Sequence, residues 1–391
     1  MKILFVANRG EIGGAHIALE NMIIKLKKEK FDITLITPNR KSKWFDFCQK
    51  ERIKCEYVNY YEIGYAFNIS IIRRVIKFIM LPLYYILNKL NYISANKIRK
   101  KIDIYSFDYI HTNTNRDDFG IVLSNMYGIK HIMHLREFDK EFFKIIYLRK
   151  NVYQYFCNNT TFFISVSNAI KKNYEKKGIT SNKIFTIYDG INYKTIAPKT
   201  KYMFDKTFKI VMVGNICKEK GQKKLIDAIS IIKCNKNIDV DFYGTGSIEY
   251  INKLERRIKK LDLTDRIVFK GYEKNIKDIL NKYDLAVMCS KIDGFGLVTI
   301  EYMMAGVPVL VSKTGANFEI VSDYSNGFMF NFDDVNSLSK KIEYIIKNYD
   351  KAIEVSKKAY EQAIKKYSLD SSFNSIKSLY EGEMINNENK N

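Results

Sequence analysis

The chain is predicted to be an α/β protein of two doubly wound, Rossmann-like domains, each built on a parallel sheet. Three observations lead there. Short apolar runs alternate with helix-period segments along most of the length, the mark of βαβ units. The series begins afresh in mid-chain, where residues 210–214 repeat the strand-then-glycine opening of the amino terminus. Finally, 391 residues are too many for one ordinary core and suit two domains of usual size.

In the first half, strands are expected at 3–7, 33–37, 109–111, 131–135 and 162–166, each an apolar run too short for a helix. Helix periodicity marks 14–28, 69–88, 120–127 and 167–177 between them. Pro82 should kink the second of these, because it has no amide proton to donate. In the second half, strands at 209–213, 240–243, 267–269, 285–289 and 307–311 alternate with helices at 221–232, 248–261, 276–282, 297–305 and 335–348. A last helical pattern, 369–380, precedes a polar tail expected to fray. The lysine-rich stretch 197–208, which holds Pro198, marks the boundary. The expected division is an acceptor-side domain 1–200, a ligand-binding domain 201–366, and 367–391 as a return helix on the first domain plus the tail.

Bulk properties narrow the class further. A formal charge of +22 favours polyanionic partners: nucleic acid, anionic headgroups or phosphorylated substrates. The basic residues are spread along the chain and no nucleic-acid module is present, so nucleic acid is not expected. Six cysteines without a CxxC pair suit reduced thiols in a cytoplasmic protein. No run of about 18 apolar residues occurs, so no spanning helix is expected, and the opening run is too short for a secretory signal. The stretch 69–90, from Ile69 to Leu90, carries Arg73, Arg74 and Lys77 at helical spacing beside many large apolar residues. It is either an interfacial helix on an anionic membrane or a core helix with a solvated basic stripe.

The segment from Ser290 to Leu310 carries the most chemistry. It reads as a strand end, a turn with Gly294 and Gly296, a helix, and a Gly-Val-Pro turn into the next strand. Glycine lets the backbone approach a ligand closely. The helix opening there presents unpaired N–H groups of Gly296, Leu297 and Val298 and the positive end of its dipole, an anion site. Asp293 and Glu301 bracket it, and carboxylates accept hydrogen bonds from hydroxyl-rich groups.

This segment, with Phe295 between its two glycines, resembles the donor-binding motif of the family 4 glycosyltransferases, an acid, seven residues and a second acid around Gly-Phe-Gly. The resemblance covers nearly the whole chain. Residues 213–221, holding Gly214, Asn215 and Lys220, look like the family's phosphate-binding turn. Residues 242–246, with Gly244, look like its mid-domain glycine turn, and 266–271, ending at Gly271, like the strand beside the base pocket. Gly13-Gly14-Ala15 is similar to its first glycine loop, and 164–168 and 187–191 to the end of its first domain.

The resemblance implies a GT-B fold: two Rossmann-like domains facing across a cleft, with the C-terminal helix crossing back. It implies a retaining, metal-independent enzyme without cofactor, using a nucleotide diphosphate-sugar as co-substrate. Lys220 would contact the diphosphate, Glu301 the ribose hydroxyls and Asp293 the transferred sugar, with Gly13 and Gly14 approaching the donor. A histidine on a strand of the first domain lies near the sugar in the family, and His134 is the candidate here, with His131 as competitor. Two positions depart from the family: Asp293 stands where a glutamate is usual, and Asn215 where an arginine is usual.

Each residue also has a plain structural reading. Asp293 could cap the helix, Glu301 and Lys220 could be solvated, Asn215 could hold its turn, and Gly13-Gly14 could only turn the chain. Arg136 and Glu137 either meet acceptor or pair with each other, and His16 either nears the donor or sits on the surface. The expected reaction is sugar transfer to a glycan or lipid-linked glycan, in bacterial capsule, O-antigen or exopolysaccharide assembly, at the inner face of the cell membrane. A nucleotide-sugar epimerase of the same fold and a non-catalytic basic binding protein are the rivals.

Overall fold

The computed structural model describes residues 1–7, 13–67, 71–202, 207–233 and 237–384. The chain forms two compact units. The first is Met1–Gly190 with Ser372–Asn391, and the second is Ile191–Ser371.

The first unit holds β1 (Lys2–Val6), β2 (Asp32–Thr37), β3 (Lys54–Tyr57), β4 (Gly64–Tyr65), β5 (Tyr109–Thr112), β6 (Lys130–Leu135), β7 (Ile146–Tyr147), β8 (Phe162–Ser165) and β9 (Ile184–Thr186). Seven of these make one sheet in the order β3-β2-β1-β5-β6-β8-β9, all parallel, while β4 and β7 pair separately and antiparallel. Side chains alternate across a strand. Ile3 and Phe5 of β1 therefore enter one core with Leu19, Ile23 and Trp44, and Leu4 and Val6 enter another with Tyr60, Ile98 and Phe119. Covering both faces is what an all-parallel sheet requires.

The second unit holds β10 (Thr207–Val213), β11 (Asn237–Tyr243), β12 (Ile267–Gly271), β13 (Leu285–Met288), β14 (Val309–Ser312) and β15 (Phe328–Phe330). They form one parallel sheet in the order β12-β11-β10-β13-β14-β15. Phe208, Ile210, Phe242, Leu285, Val287 and Phe328 centre its core. Strand order reverses at β1/β5 in one sheet and β10/β13 in the other. In open α/β sheets that reversal opens a crevice beyond the carboxyl ends of the strands. The architecture is thus two Rossmann-like units, as the alternation of elements predicts.

The division falls earlier than residue 200. Ile191 N–H donates to the Tyr367 carbonyl, Lys199 N–H donates to the Ala305 carbonyl, and the Lys199 ammonium is buried against Asp284 at 3.1 Å. These bonds tie 191–199 to the second unit. At the other end, Phe373, Ile376, Leu379 and Tyr380 of the Leu369–Tyr380 helix join the core that holds Ile3 and Leu19.

Three local expectations change. Residues 276–282 form two 3-10 turns, Ile276–Asp278 and Leu280–Lys282, whose bonds close over three residues, from Ile279 N–H to the Ile276 carbonyl and from Tyr283 N–H to the Leu280 carbonyl, in place of an α-helix. The kinked helix at 69–88 is two helices, Ile71–Ile79 and Leu81–Lys89, with Pro82 in the first turn of the second; residues 69 and 70 lie outside the described ones. The helices Lys43–Lys50 and Tyr349–Tyr367 and strand β3 add to the expected elements. Residues 203–206 of the boundary stretch, Cys234 and the tail 385–391 also fall outside the described residues. No helix among the described residues is long and apolar enough to cross a membrane.

Candidate functional site

In the second unit the marked residues gather at the carboxyl ends of the strands around the reversal. Gly214 N–H donates to the Tyr243 carbonyl at 2.9 Å, and Gly244 N–H to the Gly271 carbonyl at 2.8 Å. Three glycines far apart in sequence therefore lie side by side where β10, β11 and β12 end. Gly244 has a packing reason to be glycine: at φ 136°, a Cβ there would lie 2.0 Å from the Gly214 carbonyl oxygen. Asn215 takes part through its main chain, whose carbonyl accepts from Gln222 Nε2 at 3.0 Å, while its side chain is exposed.

The loops after β10 and β13 meet. The Lys291 N–H donates to the Glu219 carbonyl at 2.8 Å, and the Lys220 ammonium donates to Asp293 Oδ2 at 2.8 Å. Lys220 and Asp293, singled out separately in the sequence, are thus one ion pair at the reversal point. Their side chains are only 20% and 14% exposed, which sets the pair apart from a solvated surface contact. Asp293 makes no cap to the helix that follows, so the capping reading fails.

That helix, Leu297–Met304, starts from Gly296 at φ 79° with no side-chain cap. Its first amides have no intrahelical carbonyl to bond. In contrast, Ser167, Ser247 and Asp334 each cap a following helix. Phe295 is buried, its ring edge-on to Tyr367 with centroids 5.7 Å apart, so it anchors the turn instead of offering its ring to a ligand. Two buried polar atoms beside Gly296, Thr299 Oγ1 and Asn317 Oδ1, have no hydrogen-bond partner within the protein. Sequence reasoning passed over both, since nothing in the sequence shows that their polar atoms are buried.

Glu301, one turn further on, is largely buried and its carboxyl is raised above the ordinary range by that burial. Lys277, at 3.3 Å, opposes the shift. A carboxylate held in place by one ammonium keeps lone pairs for hydroxyl donors. Lys277 carries no local signal in sequence; it arrives from the 3-10 turn that replaces the expected helix.

In the first unit the histidines separate cleanly. His131 Nε2 lies 2.8 Å from Thr112 Oγ1 and its Nδ1 lies 3.1 Å from Thr160 Oγ1, so both ring nitrogens are engaged in the core. Burial holds its pKa down at about 3. His134 faces the other way. Its Nδ1 lies 3.3 Å from both Arg136 Nη2 and His111 Nε2, and its buried Nε2 has no partner. A guanidinium only donates. His134 Nδ1 must therefore accept, which leaves the proton on Nε2 as an unused donor. His111 continues the chain, its Nδ1 being 2.7 Å from the Tyr380 hydroxyl. Burial, then the Arg136 charge, keeps His111 and His134 neutral far below the usual histidine range. Nitrogen-15 spectra of the four histidines should show His134 as the Nε2–H tautomer from pH 5 to 8. An imidazolium or Nδ1–H signal there would overturn the assignment.

Arg136 does not pair with Glu137. It donates to both Asp189 oxygens at 2.7 Å and to the Asn113 carbonyl and side chain. Adjacent residues leaving a strand point to opposite sides, which separates the two. Glu137 is raised to about 7, mainly by burial, with Arg116 opposing, and its Oε1 has no hydrogen-bond partner. Gly13 caps nothing with a side chain and begins the Gly14–Lys28 helix at φ 148° with open space around its α-carbon. His16 is buried, not on the surface, with its ring centroid 3.9 Å from that of Trp44 and Nε2 3.0 Å from Glu20.

Residues 195–362 match the glycosyl transferases group 1 family, and residues 12–194 match Glycosyltransferase Family 4. The chain is 28% identical to an uncharacterized glycosyltransferase of Methanocaldococcus jannaschii, over 74% of this chain and 80% of that protein. It is 24% identical to the UDP-Gal:alpha-D-GlcNAc-diphosphoundecaprenol alpha-1,3-galactosyltransferase of Escherichia coli, over 75% and 79% of the two chains. Its fold is similar to that of Anabaena HepE crystallised with UDP, with a TM-score of 0.78 at 19% identity, covering 98% of this chain and 100% of that one.

Proposed function

The chain belongs to the glycosyl transferases group 1, and on that premise we propose that it moves a sugar, with retention, from a nucleotide diphosphate-sugar to a glycan or lipid-linked glycan. The setting proposed is bacterial surface polysaccharide assembly, in the cytoplasm at the inner face of the membrane. Relatives that act on a diphosphoundecaprenol-linked sugar and on poly(ribitol-phosphate) support that choice of acceptor. The observation that carries the reading is the uncapped Leu297–Met304 helix opening beside the Lys220–Asp293 pair.

In this reading the pyrophosphate sits on the amides of Gly296, Leu297 and Val298, next to Lys220 and the glycine edge of Gly214, Asn215, Gly244 and Gly271. Glu301 accepts from the ribose hydroxyls and Asp293 from the sugar. Gly13, Gly14 and the Nε2–H of His134 are assigned to the donor's sugar end and Glu137 to the acceptor, while Arg136, buried and bonded to Asp189 and Asn113, positions His134. The anomeric C–O bond breaks, and the acceptor oxygen bonds to that carbon on the face the nucleoside diphosphate leaves. The acceptor's proton passes to the departing phosphate. The groups aimed at the developing phosphate charge contribute most to rate, so neither a metal nor a cofactor is assigned a role.

The test is to incubate the protein with single nucleotide sugars and a glycan acceptor in excess chelator, reading product anomers by NMR. A product keeping the donor's anomeric configuration is expected. A strict magnesium requirement or an inverted product would remove this mechanism, and recovery of an isomerised donor alone would favour the epimerase.

A further inference from the structure

The helices Ile71–Ile79 and Leu81–Lys89 bury no side chain below the level of a core residue, although both are rich in large apolar groups. Their orientation is the reverse of an ordinary surface helix. On Ile71–Ile79, residues Ile71, Ile72, Val75, Ile76, Phe78 and Ile79 share one side at helical spacing. That side faces outward: Ile71 and Ile72 are 74% exposed and Ile79 is 70% exposed. Lys77, on the opposite side, points back and donates to the Ala66 carbonyl at 3.0 Å.

Leu81–Lys89 is fixed the same way round. Tyr84 stacks on Tyr65 with centroids 4.3 Å apart, and Asn88 donates to Asp118 at 3.0 Å, so the polar contacts lie inward. Leu83, Tyr85 and Ile86 are left outside. The inner bonds hold both apolar faces in the open.

We propose that this pair of helices is a wedge that enters the headgroup and upper acyl region of an anionic bilayer. Arg73 and Arg74, both exposed, flank the apolar arc of the first helix. Cations at the edges of an apolar arc are placed to meet lipid phosphates while the arc inserts. A second copy of the chain would instead bring these cations, and two chains of +22, face to face. The charge pattern therefore selects anionic lipid over self-association. This deepens the peripheral placement proposed above and rests on it only for the acceptor's location.

The test uses Phe78→Trp in the full chain. The single native tryptophan, Trp44, is fully buried and serves as a constant background. With phosphatidylglycerol–phosphatidylcholine vesicles, a blue shift and quenching by brominated lipid are expected. Partition should fall at least about tenfold for Ile72→Glu/Phe78→Glu, since charges replace inserted apolar groups. It should lose its preference for phosphatidylglycerol in Arg73→Ser/Arg74→Ser. Unchanged fluorescence with vesicles overturns the proposal, and so does a lipid-free dimer by light scattering that Phe78→Glu disperses. Transfer to a water-soluble acceptor should be the same in Ile72→Glu/Phe78→Glu as in wild type. An absence of transfer in both would count against the enzymatic reading and leave the vesicle result standing.

Discussion

Lys220→Ala is expected to lower sugar transfer at least about a hundredfold while the protein stays folded. The ammonium sits at the reversal of strand order, where it already donates to Asp293. In the proposed reaction its charge lies beside the pyrophosphate, and Asn215 adds none at the position where the family usually has an arginine. Losing one preorganised donor to developing charge typically costs about 3 kcal/mol in a water-poor site, roughly a hundredfold in rate. The loss should fall chiefly on kcat, since the charge on the leaving phosphate grows in the transition state. Lys220→Ala/Asp293→Asn also removes the unpaired carboxylate, and because Asp293 is itself assigned to the sugar, little activity should return. Near-normal transfer in either variant, or full recovery in the double one, would leave Lys220 as a structural partner of Asp293 only.

Glu301→Ala should cut transfer by a similar factor, about a hundredfold, through the loss of the charge-assisted hydrogen bonds proposed for the ribose. Here the loss should appear largely in KM for the donor, because ribose contacts are alike in ground and transition states. Burial raises the Glu301 carboxyl above the ordinary range and Lys277 opposes this. The signs then differ for two measurements. For the free protein, a raised acid favours the folded state at low pH, and that contribution is lost as pH rises through the folded pKa. For donor binding, the ionised carboxylate is the acceptor, so affinity falls as pH drops through that same pKa. Lys277→Met removes the opposing charge and should move the acid limb of donor binding to higher pH, with kcat at pH 8 little changed. An acid limb that stays put would detach Lys277 from the site.

Much of the site was legible because helix openings and glycine turns are local. A glycine at 296 before an apolar eight-residue helix has the same meaning in sequence as in space. So do the glycines at 214 and 244, which close strands that the alternation of apolar runs already marks. Pairings were not legible. Lys220 and Asp293 are 73 residues apart and Arg136 and Asp189 are 53 apart. Nothing in one member of either pair points to the other. The same holds for Lys277, which reaches Glu301 from a turn that the sequence suggested was a helix.

His134 and the helices near residue 80 show the other kind of gap. Strand alternation separates His131 from His134, but which one is satisfied depends on Thr112, Thr160, His111 and Arg136 arriving from other elements. Likewise, amphipathicity at 71–79 is plain in the letters, whereas the side that faces outward follows from anchors such as Lys77 on Ala66 and Asn88 on Asp118.

By itself the sequence determined the class of fold, the strand-turn-helix units and the anion-ready opening at Gly296, since these depend on residues within a few positions of one another. Only the tertiary structure decided which charges neutralise which, which histidine nitrogen is left to donate, and which helix face stays in the open. Those outcomes depend on groups brought together by packing, and the electrostatic and burial energies that settle them act over ångströms of space, not along the chain.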